Sequence, residues 1–210
     1  MTRILITGFG PFPGAPSNPT MRLVRHLVRL KRARFTGVER FGQVLATEWG
    51  ALQGFRNTIR KSKPDCVLMF GLAGRRRKVT PEARAANVAG LLRVDGAGHS
   101  PASRSLLAAG PAHRRGRIDA VRMAAGLRRA GIAADVSQNA GDYLCNALFW
   151  TALESGVPAI FVHVPKPKKV GPKKWTLATG PQKPPRLTMK QLERAAEMAL
   201  SFSIASVRGS

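Results

Sequence analysis

Acidic side chains are scarce in this chain: 11 Asp and Glu stand against 35 Lys and Arg, a formal charge of +24 at pH 7. A field of that sign attracts nucleic acid and other polyanions without selecting among them. Aromatic residues are also sparse, at 6%, and they do not alternate with the basic ones, which argues against a dedicated single-strand groove. Nucleic acid is therefore expected only as a non-specific electrostatic partner. Cysteine is limited to Cys66 and Cys145, too few for a disulfide framework. No basic region followed by an apolar run and a cleavage site opens the chain, so a cytoplasmic location is the expectation. No apolar run approaches the length that crosses a bilayer, and no membrane partner is expected.

What the chain does contain is enough apolar sequence, 44% of 210 residues, for the core of one α/β domain. Residues 3–9, RILITGF, form a short apolar run ended by glycines and prolines, the pattern of a buried strand. Residues 64–70, PDCVLMF, and 158–164, PAIFVHV, repeat that pattern, and 132–137 gives a further short strand. Helical spacing predicts helices over 19–31, 46–61, 117–130, 143–154 and 188–203, with Asn18 and Thr188 as caps. Strands alternating with helices predict a single domain over 1–210, a three-layer α/β/α fold with a mostly parallel central sheet. Two stretches fall outside the pattern. Residues 91–116 read as an irregular excursion suited to a lid or an assembly contact, and 165–187 as a basic, solvated loop.

The stretch with most chemical content is 139–150, NAGDYLCNALFW, where a turn gives way to a helix at Cys145. A thiol there faces unpaired backbone N–H groups and the positive end of the helix dipole, both of which favour thiolate. The competing reading is a small apolar residue packed under the helix. For Cys66, inside a continuous apolar strand, that inert reading prevails. His163 lies at the far end of its strand, and Cys145 follows the strand at 132–137, so both are expected at one sheet edge. If those strands are neighbours, a thiol, an imidazole and a third, orienting group make a cysteine hydrolase.

At this point the residues resemble a known family, the pyroglutamyl peptidases of the C15 cysteine peptidase group. The opening LITGFGPFPGAPSNPT is similar to that family's start, GLAGRRRKVTPEARAAN to its glycine turn and TPE segment, and NAGDYLCN and FVHVPKP to its cysteine and histidine segments. The resemblance implies removal of an amino-terminal pyroglutamyl residue by acyl transfer to a cysteine, with no metal or cofactor. It makes Cys145 the nucleophile, His163 its base and Glu82 the imidazole's acceptor. It makes Phe9, Phe12 and Tyr143 the aromatic slot for the lactam ring, and backbone N–H groups near Cys145 part of an oxyanion hole. Peptides with N-terminal pyroglutamate would be the substrate and a homo-oligomer, by family habit a tetramer, the assembly.

The chain also departs from the pattern. Where relatives carry an active-site arginine after Asn87, this chain reads VAGLLRVDGAG, so Arg93 is a displaced match and Arg84 a competitor. Leu72 stands where many relatives have glutamine, and the lysine-rich segment after His163 implies a preference for acidic residues downstream of the pyroglutamyl group. These departures leave two alternatives open: a weakened relative acting as a basic, nucleic-acid-binding module, or a cysteine hydrolase of another amide.

Overall fold

The computed structural model describes residues 1–12, 15–168 and 186–209. Strands β1 (Thr2–Phe9), β2 (Val38–Leu45), β3 (Cys66–Leu72), β4 (Thr80–Glu82), β5 (Arg84–Ala86), β6 (His113–Arg115) and β7 (Ala159–Val164) are interleaved with helices. The helices are α1 (Pro19–Arg29), α2 (Ala51–Ser62), α3 (Ala120–Arg129), α4 (Leu144–Glu154) and α5 (Met189–Arg208). The main sheet has the order β2-β1-β3-β7-β4, parallel except for β4, which runs against β7. β5 and β6 pair separately as an antiparallel ribbon.

The apolar strands specify the layers through their alternation, because successive side chains leave a strand on opposite faces. Ile4, Ile6, Leu68, Phe70, Ile160 and Val162 pack into one core with residues of α1, α3 and α5. Leu5, Val67, Met69 and Phe161 pack into the other with residues of α2 and α4. A strand covered on both faces has no polar positions to spare, which is why these segments read as continuous apolar runs. The result is the three-layer α/β/α arrangement. Among the described residues no helix is long and apolar enough to cross a membrane.

The helix boundaries follow their caps. Asn18 accepts from the Thr20 backbone N–H at 3.1 Å with Pro19 opening α1, and Thr188 and Gln191 form a reciprocal capping box at α5. α2 begins five residues later than its apolar stripe predicts. Residues 46–50 are drawn off the helix by the excursion: Asp95 accepts from Trp49 N–H at 2.9 Å, and Gly96 N–H donates to Thr47 O at 2.7 Å. Between Ala86 and His113 the described chain has no helix or strand, but His113–Arg115 pairs with β5, so the irregular stretch ends earlier than its composition suggests. The basic loop at 165–187 lies largely outside the described residues.

One expectation is overturned. The stretch 132–137 is not a neighbour of β7; it runs parallel to β4, on the far side of β4 from β7, and therefore antiparallel to β7. Val79 N–H donates to Ala133 O, Asp135 N–H to Val79 O, Ser137 N–H to Pro81 O and Ala83 N–H to Ser137 O, all within 3.1 Å. Pro81 has no N–H to complete that ladder, which leaves two isolated bridges in place of a strand. Apolar patterning carries no strand direction, so it cannot by itself bring the ends of 132–137 and β7 to one edge.

Candidate active site

β7 carries His163 next to its end, and the register sets Gly71 of β3 against it on one side and Thr80 of β4 on the other. Antiparallel pairing places Glu82 two residues further along β4, level with Phe161. The Glu82 carboxylate is buried at 1% exposure. Its Oε1 lies 2.7 Å from His163 Nδ1 and accepts from Arg76 Nη1 at 2.6 Å. The other oxygen, Oε2, has no hydrogen-bond partner among the described residues. A carboxylate only accepts, so Nδ1 is the donor in this contact, and the neutral tautomer that satisfies it has its lone pair on Nε2.

Cys145 is the second residue of α4, and Tyr143 caps the helix without a side-chain hydrogen bond. The turn before it is tight. Gly141 takes φ +90°, a left-handed conformation that glycine adopts at no steric cost, and its N–H donates to Asn139 Oδ1 at 2.9 Å. The helix start sets the thiol against the β3 backbone: a Cβ at Gly71 would lie 2.9 Å from Cys145 Sγ and 2.6 Å from the Phe161 ring. Gly71 is also the register partner of His163, so thiol and imidazole flank the same point of the sheet. The Phe161 and His163 rings lie 4.9 Å apart, centroid to centroid.

Cys145 as a residue is half-buried, but its sulfur is turned inward. Burial pushes the thiol up to about 12, the charge of Glu82 adds to that, and Arg76 and the residue's own backbone N–H pull down by less. The helix start alone had suggested a thiolate; desolvation outweighs it. At rest the sulfur is therefore a thiol, and it could act as a nucleophile only with a base to take its proton.

The other residues singled out in the sequence are distributed as follows. Phe9 is buried in the apolar cluster that Tyr143, Cys145 and Phe161 also join, and its backbone is pinned to Thr20 Oγ1. Phe12 is half-buried and bridges to Ala15. Tyr143 donates its hydroxyl to Val94 O at 3.1 Å and stands edge-on to Trp49. Arg93 is 62% exposed, 3.9 Å from Asp142, with its guanidinium near the Tyr143 ring. Arg84 donates to Gln138 O. Leu72 ends β3, half-buried.

Two residues that sequence reasoning passed over matter to this geometry. Arg76, met in the sequence only within the segment GLAGRRRKVTPEARAAN, donates to Glu82. Asn146, fully buried, accepts from Ala86 N–H and donates to Ala86 O and Val88 O, which locks α4 to β5. Its position directly after the cysteine was visible, but nothing in the pattern marked it as buried. Among the described residues no group of His, Cys, Asp and Glu is arranged to hold a metal ion.

A family model described as pyroglutamyl peptidase matches residues 2–203. The pyrrolidone-carboxylate peptidase of Vibrio vulnificus strain YJ016 is 32% identical over 175 residues, 79% of each chain. The crystal structure of Bacillus amyloliquefaciens pyroglutamyl peptidase I is similar with a TM-score of 0.81 and 26% identity, covering 98% of both chains. The pyrrolidone carboxyl peptidase of Thermococcus litoralis is similar with a TM-score of 0.86 and 27% identity, covering 100% of this chain and 96% of that one.

Proposed function

From the premise that this chain belongs to the pyroglutamyl peptidase family, we propose that Cys145, His163 and Glu82 carry out its reaction, the removal of amino-terminal pyroglutamyl residues from peptides. His163 Nε2 takes the Cys145 proton as sulfur attacks the pyroglutamyl carbonyl. Glu82, held 2.7 Å from Nδ1, keeps the tautomer and stabilises the imidazolium that forms. The tetrahedral intermediate collapses, the carbon–nitrogen bond breaks, and the imidazolium protonates the departing amine. Water, deprotonated by the same nitrogen, then attacks the thioester and releases pyroglutamate, returning the proton to sulfur. The first-turn N–H groups of α4 supply donors for the oxyanion.

The observation that carries this reading is the buried Glu82–His163 contact at the strand end against which the Cys145 thiol packs. Phe9, Phe12 and Tyr143 are the proposed walls for the lactam ring, and Arg93, exposed beside Tyr143, the proposed contact at its mouth. The same reading includes a cytoplasmic location, supported by two free thiols, and self-association, supported by Leu92 and Val94 exposed on the excursion. The test is release of a fluorescent amine from its pyroglutamyl amide. The unaltered chain cleaves it, and Cys145→Ser or prior thiol alkylation abolishes cleavage. No release by folded, reduced protein across neutral pH overturns the proposal.

A further inference from the structure

The catalytic reading uses three side chains, yet the carboxylate among them is shared with a fourth. Arg76 sits on the turn between β3 and β4, where its backbone N–H donates to Ala73 O at 2.9 Å. Its guanidinium is two-sided. Nη1 donates to Glu82 Oε1 at 2.6 Å, while Nη2 donates to Ser137 Oγ at 3.3 Å and Asn139 O at 3.2 Å. Asn139 opens the turn that leads into α4 and holds Gly141 N–H. One planar cation thus joins the carboxylate behind the imidazole to the turn that delivers the thiol.

We propose that Arg76 is a positioning residue of this site, clamping Glu82 to the Asn139 turn and supplying the positive charge that faces Cys145. The inference rests on the peptidase reading of the site. Its geometry follows from the guanidinium fork, which reaches acceptors in two directions at once; a lysine ammonium has no such span. Its electrostatics follow from burial. Glu82 is shut away from water beside a thiol that must become thiolate, and an uncompensated carboxylate there would oppose that charge. Arg84 and Arg93 are engaged with Gln138 O and with Asp142 and Tyr143. The charged and titratable groups around Cys145 are Glu82 from β4, Arg76 from the preceding turn, His163 from β7 and Tyr143 at its own helix cap.

The experiment compares the full chain with Arg76→Ala, Arg76→Gln and Arg76→Lys by two readouts. The first is kcat and KM on a pyroglutamyl aminocoumarin amide; the second is the rate of Cys145 alkylation by iodoacetamide at a fixed pH of about 8, followed on the Cys145 peptide by mass spectrometry. Loss of the clamp lowers kcat by about 100-fold in Arg76→Ala with KM changed less than about threefold. Alkylation slows in Arg76→Ala and Arg76→Gln, because less of the thiol is ionised without the positive charge, and stays near the parent rate in Arg76→Lys, whose kcat recovers only in part. Free guanidinium restores part of the Arg76→Ala rate. Unchanged kcat in Arg76→Ala, a loss confined to KM, or an alkylation rate that does not fall would overturn the proposal. If Arg76→Ala fails to fold, Arg76→Gln replaces it. If the parent chain does not cleave the amide, the peptidase reading falls, while the alkylation rates still decide whether Arg76 acts on the thiol.

Discussion

Two glutamates in this chain are buried against a histidine and arginine, at opposite ends of its chemistry. Glu82 meets His163 and Arg76 through one oxygen and leaves the other without a partner. Glu197 of α5 meets His26 at 2.9 Å and Arg32 at 3.3 Å through one oxygen and Arg34 at 2.8 Å through the other. The pairs are alike in composition and unlike in setting. The His163 side chain is 7% exposed and His26 27%. Arg32 and Arg34 are about half exposed, and with His26 they tie α1 and the segment after it to α5. A carboxylate, an imidazole and a guanidinium are therefore a structural tie by default. What sets Glu82 apart is a side chain fully withdrawn from water and a histidine whose register partner, Gly71, also lies against the Cys145 thiol, and on that difference rests its proposed part in the reaction.

The comparison breaks or holds on one paired measurement. Glu82→Gln keeps shape and removes the charge that fixes the His163 tautomer, and kcat should fall by roughly 10³- to 10⁴-fold. Glu197→Gln should leave kcat within about twofold. Its cost is in stability: the partners are largely solvated, so losing the pair is worth roughly 1–2 kcal/mol, a melting shift of about 2–8 °C for a domain of this size. Amide cleavage and thermal melting of both variants decide it. Equal losses of activity would mean that the two clusters do not differ as their surroundings imply.

Sequence reasoning sees this contrast from one side only. Layering, the three central strands β1, β3 and β7 and most helix spans were legible because both-face burial and helical spacing leave continuous runs and caps, as in 64–70 and at Asn18 and Thr188. Cys145 and His163 stood out by a helix start and a strand end, and Glu82 was picked out only through resemblance to a family. Spacing alone put Cys145 and His163 at one edge by way of a strand neighbour that does not exist. Glu82 sits on a three-residue strand interrupted by Pro81, too short to show a period. Arg76 was hidden among three consecutive arginines, with no local signal for which of them turns inward, and Glu197 lay unnoticed in a helix pattern that placed only apolar residues inside. Contacts between residues distant in sequence leave no mark on local periodicity.

The contrast can be sharpened by moving the thiol while leaving the Glu82–His163 contact in place. Gly71 has its hydrogen where a methyl would come 2.9 Å from Cys145 Sγ and 2.6 Å from the buried Phe161 ring. Neither contact is tolerable, and both neighbours are fixed in a packed layer. Gly71→Ala should cost roughly 1–3 kcal/mol of stability and lower kcat by about 100-fold or more, because the sulfur must shift relative to Nε2. Denaturant unfolding and amide cleavage check the two effects. A stable, fully active Gly71→Ala would show that the thiol has room to spare and that its seat on β3 does not explain its role.

The smallest effect separates the two thiols. Cys66, the first residue of β3, is pushed to about 12 by burial, with Ser203 hydrogen bonding opposing and the charge of Asp65 adding, so by burial alone it resembles Cys145. Among the described residues no imidazole–carboxylate pair lies beside it, and its ionisation is expected to register in stability alone. The folded value is raised above the ordinary 9.0, so above that pH the unfolded chain releases its thiol proton while the folded chain keeps it. Stability then falls as pH rises from about 9 toward 12, at up to about 1.4 kcal/mol per pH unit from this residue. Urea unfolding at pH 8 and pH 10 should show a steeper loss in the parent than in Cys66→Ala, while amide cleavage at neutral pH by Cys66→Ala stays near the parent value. An identical pH slope in both chains would show that the Cys66 thiol ionises as easily folded as unfolded, and that depth in the sheet does not keep it inert.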